Sequence, residues 1–140
     1  MAPVTTPESE CGRVNSSMIW LEFLGVAVLG GLGSMVRLAL SHWHRWLPWG
    51  ILTGNTLASV VVGATYPLSQ SGSASGVLIA VFLATGFAGG LSTFSSWSAQ
   101  TVDFFAAYNS RKAYFNFLLN LALPVLGVIV GIILGSLLLK

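Results

Sequence analysis

An all-α membrane protein of four transmembrane helices is the fold class this chain predicts, and three observations predict it. Hydrophobic residues make up 54% of the 140 and charged residues only 7%, against roughly 25% charged in ordinary soluble domains. Apolar runs of about 20 residues, the length a bilayer core requires, recur between short polar breaks. Those breaks, His42 to Pro48, Ser69 to Gly76 and Asn109 to Lys112, leave no room for a soluble domain and force sequential helices to run antiparallel. The expected organisation is a flexible polar tail over residues 1–17 and a membrane unit over 18–140.

Composition also excludes partners. The net charge of +2 rests on six basic residues, with no run of like charge that could follow a phosphate backbone, so nucleic acid is not expected to bind. The single Cys11 allows neither an intrachain disulfide nor a thiolate metal cluster.

The tail is rich in Pro, Ser, Thr and Glu and too poor in apolar residues to pack. The first span, Met18 to Leu40, would be about 34 Å long at about 1.5 Å per residue, longer than a signal-peptide core, and reads as a retained helix. Glu22 sits one turn into it and Arg37 near its end. Arg37 can snorkel to the interface, or raise the anion concentration at a pore mouth. In the following loop His42 and His44 lack the acidic or cysteine companions of a transition-metal site. Trp43, Trp46 and Trp49 read as an interfacial aromatic belt.

The second span, Trp49 to Leu68, carries Gly50, Gly54 and Ala58 at helical spacing, and an amide, Asn55, with Ser59 one turn on. A buried amide needs partners, either a neighbouring helix or a dehydrated anion that accepts its N–H groups. The third segment, Val77 to Tyr108, exceeds one bilayer crossing and holds the sequence GFAGGLSTFSSW from Gly86 to Trp97. Glycines and hydroxyls crowded into its middle suggest a helix break. Unwound backbone at that depth must be buried in protein or line a wet cavity, where its freed carbonyls can face a hard cation. Within the break Phe94 offers a positive ring edge toward an anion, or simply packs.

The fourth span, Ala113 to Leu139, has Gly127, Gly131 and Gly135 four apart, the pattern of close helix packing. Asn116 and Asn120, also four apart, give a second amide stripe. Two amide stripes in four helices fit a pathway better than glue. If the spans alternate, Arg13 and Lys140 lie on one side and Arg45, Arg111 and Lys112 on the other. So small a bias leaves the orientation open.

At these residues the chain resembles the CrcB/Fluc family of fluoride channels, whose signature is similar to GFAGGLSTFSSW, whose second-span Gly-Asn turn matches TGNT, and whose GGxGxxxR matches GGLGSMVR. The resemblance covers Gly30 to about Gly131. It implies a channel rather than an enzyme, built as a dimer of four-helix subunits packed antiparallel, with two fluoride pores along their interface. It also implies a structural Na⁺ held by the backbone carbonyls of Gly89 and Ser92. By motif position the anion pathway would take in Asn55, Arg37, Thr93, Phe94, Ser95, Ser96 and Trp97, with Asn116 and Asn120 of the fourth span.

The chain departs from the family pattern at Trp97, where a phenylalanine is usual, and at Asn116 and Asn120, where a tyrosine and a serine are usual. The expected function is passive, fluoride-selective efflux across a cell membrane, in bacteria the inner one. Two alternatives stand beside it. One is a companion subunit that lines a pore together with a paralogous chain, in a heterodimer rather than a homodimer. The other is a small proton-coupled exporter, which would need an essential carboxylate and has only Glu22 and Asp103 to offer.

Overall fold

The computed structural model describes residues 16–42 and 47–139. Most of the predicted tail, together with Trp43, His44, Arg45, Trp46 and Lys140, lies outside the described residues. Among the described residues every regular element is helical. We name them α1 (Ser16–Ser41), α2 (Trp49–Ser69), α3 (residues 74–91), α4 (Phe94–Ala106) and α5 (Ser110–Leu138). Four stretches are long and apolar enough to cross a membrane: α1, α2, α3 with α4, and α5. The protein is a multi-pass membrane protein.

The helix limits differ from the sequence expectation by a few residues, each for a local reason. α1 begins at Ser16 instead of Met18. α3 starts at Ala74 instead of Val77, behind Ser73 in extended conformation. α4 stops at Ala106 instead of Tyr108, because Tyr108 turns into the left-handed region with φ +53°. α5 begins at Ser110 instead of Ala113, because the Asn109 side chain accepts the Lys112 N–H and caps the first turn.

α3 is not a uniform helix. Its α-helical start, Ala74–Val81, widens into a π-helical stretch over Phe82–Ala88 and closes with the turn Gly89–Leu91. Ser92 (ψ 153°) and Thr93 (φ −153°, ψ 117°) are then extended, and α4 starts at Phe94. Wide turns of this kind occur preferentially at functional sites.

Glycines decide how the helices meet. α2 and α5 form the most extensive pairing. A Cβ at Gly131 would collide with the Val60 carbonyl oxygen, one at Gly135 with that of Ala64, and one at Gly63 with that of Val128. The fourth-span glycines are therefore packing residues, the small-residue contact that lets backbones touch inside a bilayer. On the other side, α1 lies along the second half of α3. A Cβ at Gly33 would strike the Phe87 carbonyl oxygen, and one at Gly90 that of Gly30. The GGLGSMVR and GFAGG sequences thus pack against each other and hold the end of α3 in place. Only 6% of the apolar window of α1 is buried, so this helix presents most of its surface outward.

Candidate ion pathway

The site grows out of the two extended residues. Thr93, outside the helix, gives its N–H to the Asn55 amide oxygen at 2.7 Å. In an unbroken helix that N–H would serve the Gly89 carbonyl, so α2 replaces a main-chain partner and releases that carbonyl. Because a backbone N–H demands an acceptor, the Asn55 amide is fixed with oxygen toward Thr93. Its nitrogen then donates to the Thr93 carbonyl (3.3 Å) and to Asn120 Oδ1 (3.2 Å). Asn55 grips both polar groups of Thr93 while buried between α2 and α5.

The chain of amides continues in one direction. Asn120 Nδ2 donates to the carbonyl (3.0 Å) and Oδ1 (3.2 Å) of Asn116. Asn116 Nδ2 donates to Thr101 Oγ1 (2.8 Å), whose hydroxyl donates in turn to the Trp97 carbonyl (2.9 Å). Trp97 closes the circuit, since its indole N–H donates to the Asn116 carbonyl at 3.3 Å. Its ring stacks on Phe117 with centroids 5.4 Å apart and stands edge-on to Phe94 at 5.0 Å. Trp97, Asn116 and Asn120 therefore form one connected unit. Both N–H groups of Asn55 and of Asn120 have acceptors within the protein.

Thr93 is also the N-cap of α4. Its hydroxyl accepts the Ser96 N–H at 3.3 Å and lies 3.1 Å from Ser96 Oγ and 3.3 Å from Ser95 Oγ. Three hydroxyls gather at a helix N-terminus, where amide dipoles already favour negative charge.

Two open cavities meet at Thr93. One, of about 600 Å³, runs between α1 and the start of α4, with Arg37, Ser34, Thr93, Ser95 and Ser96 among its lining residues. The other, of about 230 Å³, is lined by Asn55, Ser59, Ser92, Thr93, Phe94, Trp97, Asn120 and Pro124. The first presents the only described cation near the break together with hydroxyl donors. The second is a slot lined by amide, hydroxyl and aromatic side chains. Phe94 is 73% exposed at mid-span, so its ring is open to whatever covers this side of the protein.

The structure thus brings Asn55, Thr93, Phe94, Ser95, Ser96, Trp97 and Asn120 around one point, with Arg37 across the first cavity and Asn116 behind Trp97. Gly89 lies one turn before the extended pair and is itself helical (φ −62°, ψ −39°). The unwound residues are Ser92 and Thr93, a finer placement than the glycine-rich turn as a whole. Thr101 and Pro124 escaped the sequence reading. Each carried a signal in its spacing: Thr101 lies four after Trp97, and Pro124 four after Asn120, whose carbonyl loses its helical N–H partner to the proline. Neither carboxylate joins the site: Asp103 is exposed on α4, and Glu22 lines cavities at the other end of α1.

The family model described as CrcB-like protein, Camphor Resistance (CrcB), matches residues 24–132. A protein of Pyrococcus horikoshii named fluoride-specific ion channel FluC is 35% identical over 125 residues, covering 87% of this chain and 98% of its own length. Proteins of the same name from Thermus thermophilus and Clostridium novyi are 36% and 30% identical, covering 81% and 83% of this chain and 93% and 98% of their own lengths. With a model match across most of the membrane region and relatives covered almost end to end, this chain belongs to the CrcB-like family.

Proposed function

We propose that the protein is a subunit of a fluoride channel that lets the anion leave the cell passively. The observation that carries this reading is the Asn55 clamp on Thr93, which holds an extended, hydroxyl-rich turn open between two cavities at mid-span. The relatives' shared name supports the ion's identity. Fluoride is small and strongly hydrated, so a dry passage must replace its water with donors. Arg37 and the α4 N-terminus would gather the anion, Ser95, Ser96 and Thr93 would begin to replace its shell, and the edges of Phe94 and Trp97 would flank it further on. Asn55 and Asn120 enter this sequence by exchange: an arriving anion competes with internal acceptors for N–H groups that are already aligned. Once past the turn, fluoride is driven outward by a potential negative inside, at about 2.3 kcal/mol per 100 mV.

The working unit in this reading is a dimer. Phe94 is exposed and one face of the second cavity is open, so one chain does not close a pathway. The antiparallel arrangement agrees with the nearly balanced distribution of basic residues. The break in the third span also suits a structural cation. The Gly89 carbonyl gives up its helical partner, Ser92 is extended and exposed, and a Cβ at Gly89 would find its nearest neighbour 3.8 Å away. Among the described residues no group of three acidic, His or Cys side chains could hold a metal. Carbonyls of Gly89 and Ser92 from two subunits would form an all-oxygen setting suited to Na⁺, whose charge would lower the cost of nearby anions.

Heteromeric assembly is favoured by one specific observation, the linked unit of Trp97, Asn116 and Asn120. A rebuilt polar wall of this kind fits a subunit matched to a paralogue whose own wall differs. The proton-coupled exporter loses its footing, because neither Glu22 nor Asp103 lies on the cavities at Thr93. The test is ion release from liposomes containing the purified chain, alone and mixed with a paralogue. Fluoride should leave at least a hundredfold faster than chloride in one of these preparations, as the differing cost of fitting the two ions to one narrow passage requires. Equal release of both ions would overturn the reading.

A further inference from the structure

Far from the proposed ion pathway, on the membrane side where α1 begins and α2 passes to α3, two cavities share Glu22 and Leu78. The first is polar, about 630 Å³, lined by Gly72, Ser73, Ala74 and Ser75 of the α2–α3 turn and by the start of α3. The second is apolar, about 460 Å³, running down between α1 and α3 with Leu21, Leu24, Val28, Leu29, Leu78 and Phe82 along it. Its floor exists because α1 has no side chain at Gly25, where a Cβ would press on the Phe82 ring at 2.8 Å. From Glu22 to Val28 the groove descends about 9 Å at about 1.5 Å per residue. Trp20 and Phe23, both exposed and with ring centroids 6.3 Å apart, lie on the same turn of α1 as Glu22 but on another face, and mark the headgroup level at which aromatic residues collect. No described cation pairs with Glu22, since the described basic residues of known side-chain position, Arg37, Arg111 and Lys112, lie at the opposite helix ends.

We propose that this double cavity is a binding site for an aminophospholipid, with the ammonium of a phosphatidylethanolamine on Glu22 and an acyl chain in the groove below. Charge complementarity chooses the lipid. A carboxylate at the boundary between polar turn and apolar groove attracts a cationic headgroup group, and a primary ammonium can also donate hydrogen bonds to it. Phosphatidylcholine carries the charge without N–H donors. Phosphatidylglycerol carries no cation and adds a net negative charge beside Glu22. The serine-bearing turn supplies hydroxyls for the phosphate and glycerol oxygens. The order of affinity is therefore ethanolamine, then choline, then glycerol. This site is independent of the fluoride reading, and either can stand without the other.

The experiment is native mass spectrometry of the whole protein titrated with these three lipids bearing identical acyl chains. Phosphatidylethanolamine should bind about fivefold more tightly than phosphatidylcholine, the upper range of an exposed charged pair. Glu22→Gln should bring the two lipids to within twofold, while Glu22→Asp should retain the preference. Leu78→Trp, which fills the groove, should weaken all three lipids alike. Equal binding of ethanolamine and choline lipids by the unaltered protein, or a preference that survives Glu22→Gln, would overturn the proposal. So would a Glu22→Gln protein whose headgroup preference is intact while its dimer weakens, which would assign the carboxylate to a second copy of the chain.

Discussion

Asn55 is the residue on which the proposed pathway turns, because it holds Thr93 by its N–H and its carbonyl at once and hands its remaining N–H to Asn120. Asn55→Asp keeps the acceptor for Thr93 but sets a carboxylate oxygen against the Thr93 carbonyl and Asn120 Oδ1. It should abolish fluoride flux, and thermal unfolding of the purified protein should show a loss of about 3 kcal/mol, the cost of breaking a buried polar pair from one side. Normal flux in a folded variant would remove this amide from the pathway. The ring positions test the aromatic part. Phe94→Ile keeps volume without a positive edge and should cut conduction at least tenfold, if the ring contributes about 1.4 kcal/mol to holding the anion. Trp97→Phe forfeits only a 3.3 Å bond to the Asn116 carbonyl and should leave flux equal or higher in the same efflux assay. The sequence alone offered Asn55, Asn116 and Asn120 as polar residues on helix faces at the right spacing. It did not reveal that their donors point one way, nor that Trp97 closes the circuit, because hydrogen-bond direction follows from which backbone groups the folded helices leave open.

At the scale of elements, the spans were legible because apolar run length is set by the bilayer, and their ends shifted by only a few residues through local capping at Asn109 and the left-handed turn at Tyr108. The π-helical stretch over Phe82–Ala88 was not legible. It packs against α1, where Gly33 admits the Phe87 carbonyl, and no residue of FLATGFA announces it. The α2–α5 seam supports the proposed pathway, since it carries Asn55 on one helix and Asn120 on the other. Gly131→Leu drives a side chain into the Val60 carbonyl and should destabilise the fold by about 2–3 kcal/mol, the usual cost of overpacking. Chemical unfolding in detergent checks this, and a variant as stable as the parent would refute the tight seam.

For the whole molecule, the outward-facing Phe94 and the sparsely buried α1 are the surfaces that the proposed dimer has to cover. Gly89→Val separates the subunit from the assembly, because a Cβ at Gly89 has room within its own chain, and valine is tolerated in a helix at modest cost. The variant should fold with its helices intact yet fail to dimerise and lose any sodium dependence of stability, as size-exclusion chromatography and melting with and without sodium would show. Ser92→Ala should be mild in both assays, because the proposed ligand is a carbonyl. An unchanged dimer in Gly89→Val would contradict the central placement of this turn. The most direct test of the central claim is fluoride release from liposomes containing the purified protein, with and without a potassium ionophore to carry compensating charge, and with no proton gradient. A channel of the kind described releases fluoride rapidly only when charge is compensated and is indifferent to an imposed proton gradient. Release that requires a proton gradient, or no release from protein shown to be folded and assembled, including with its paralogue, would contradict it.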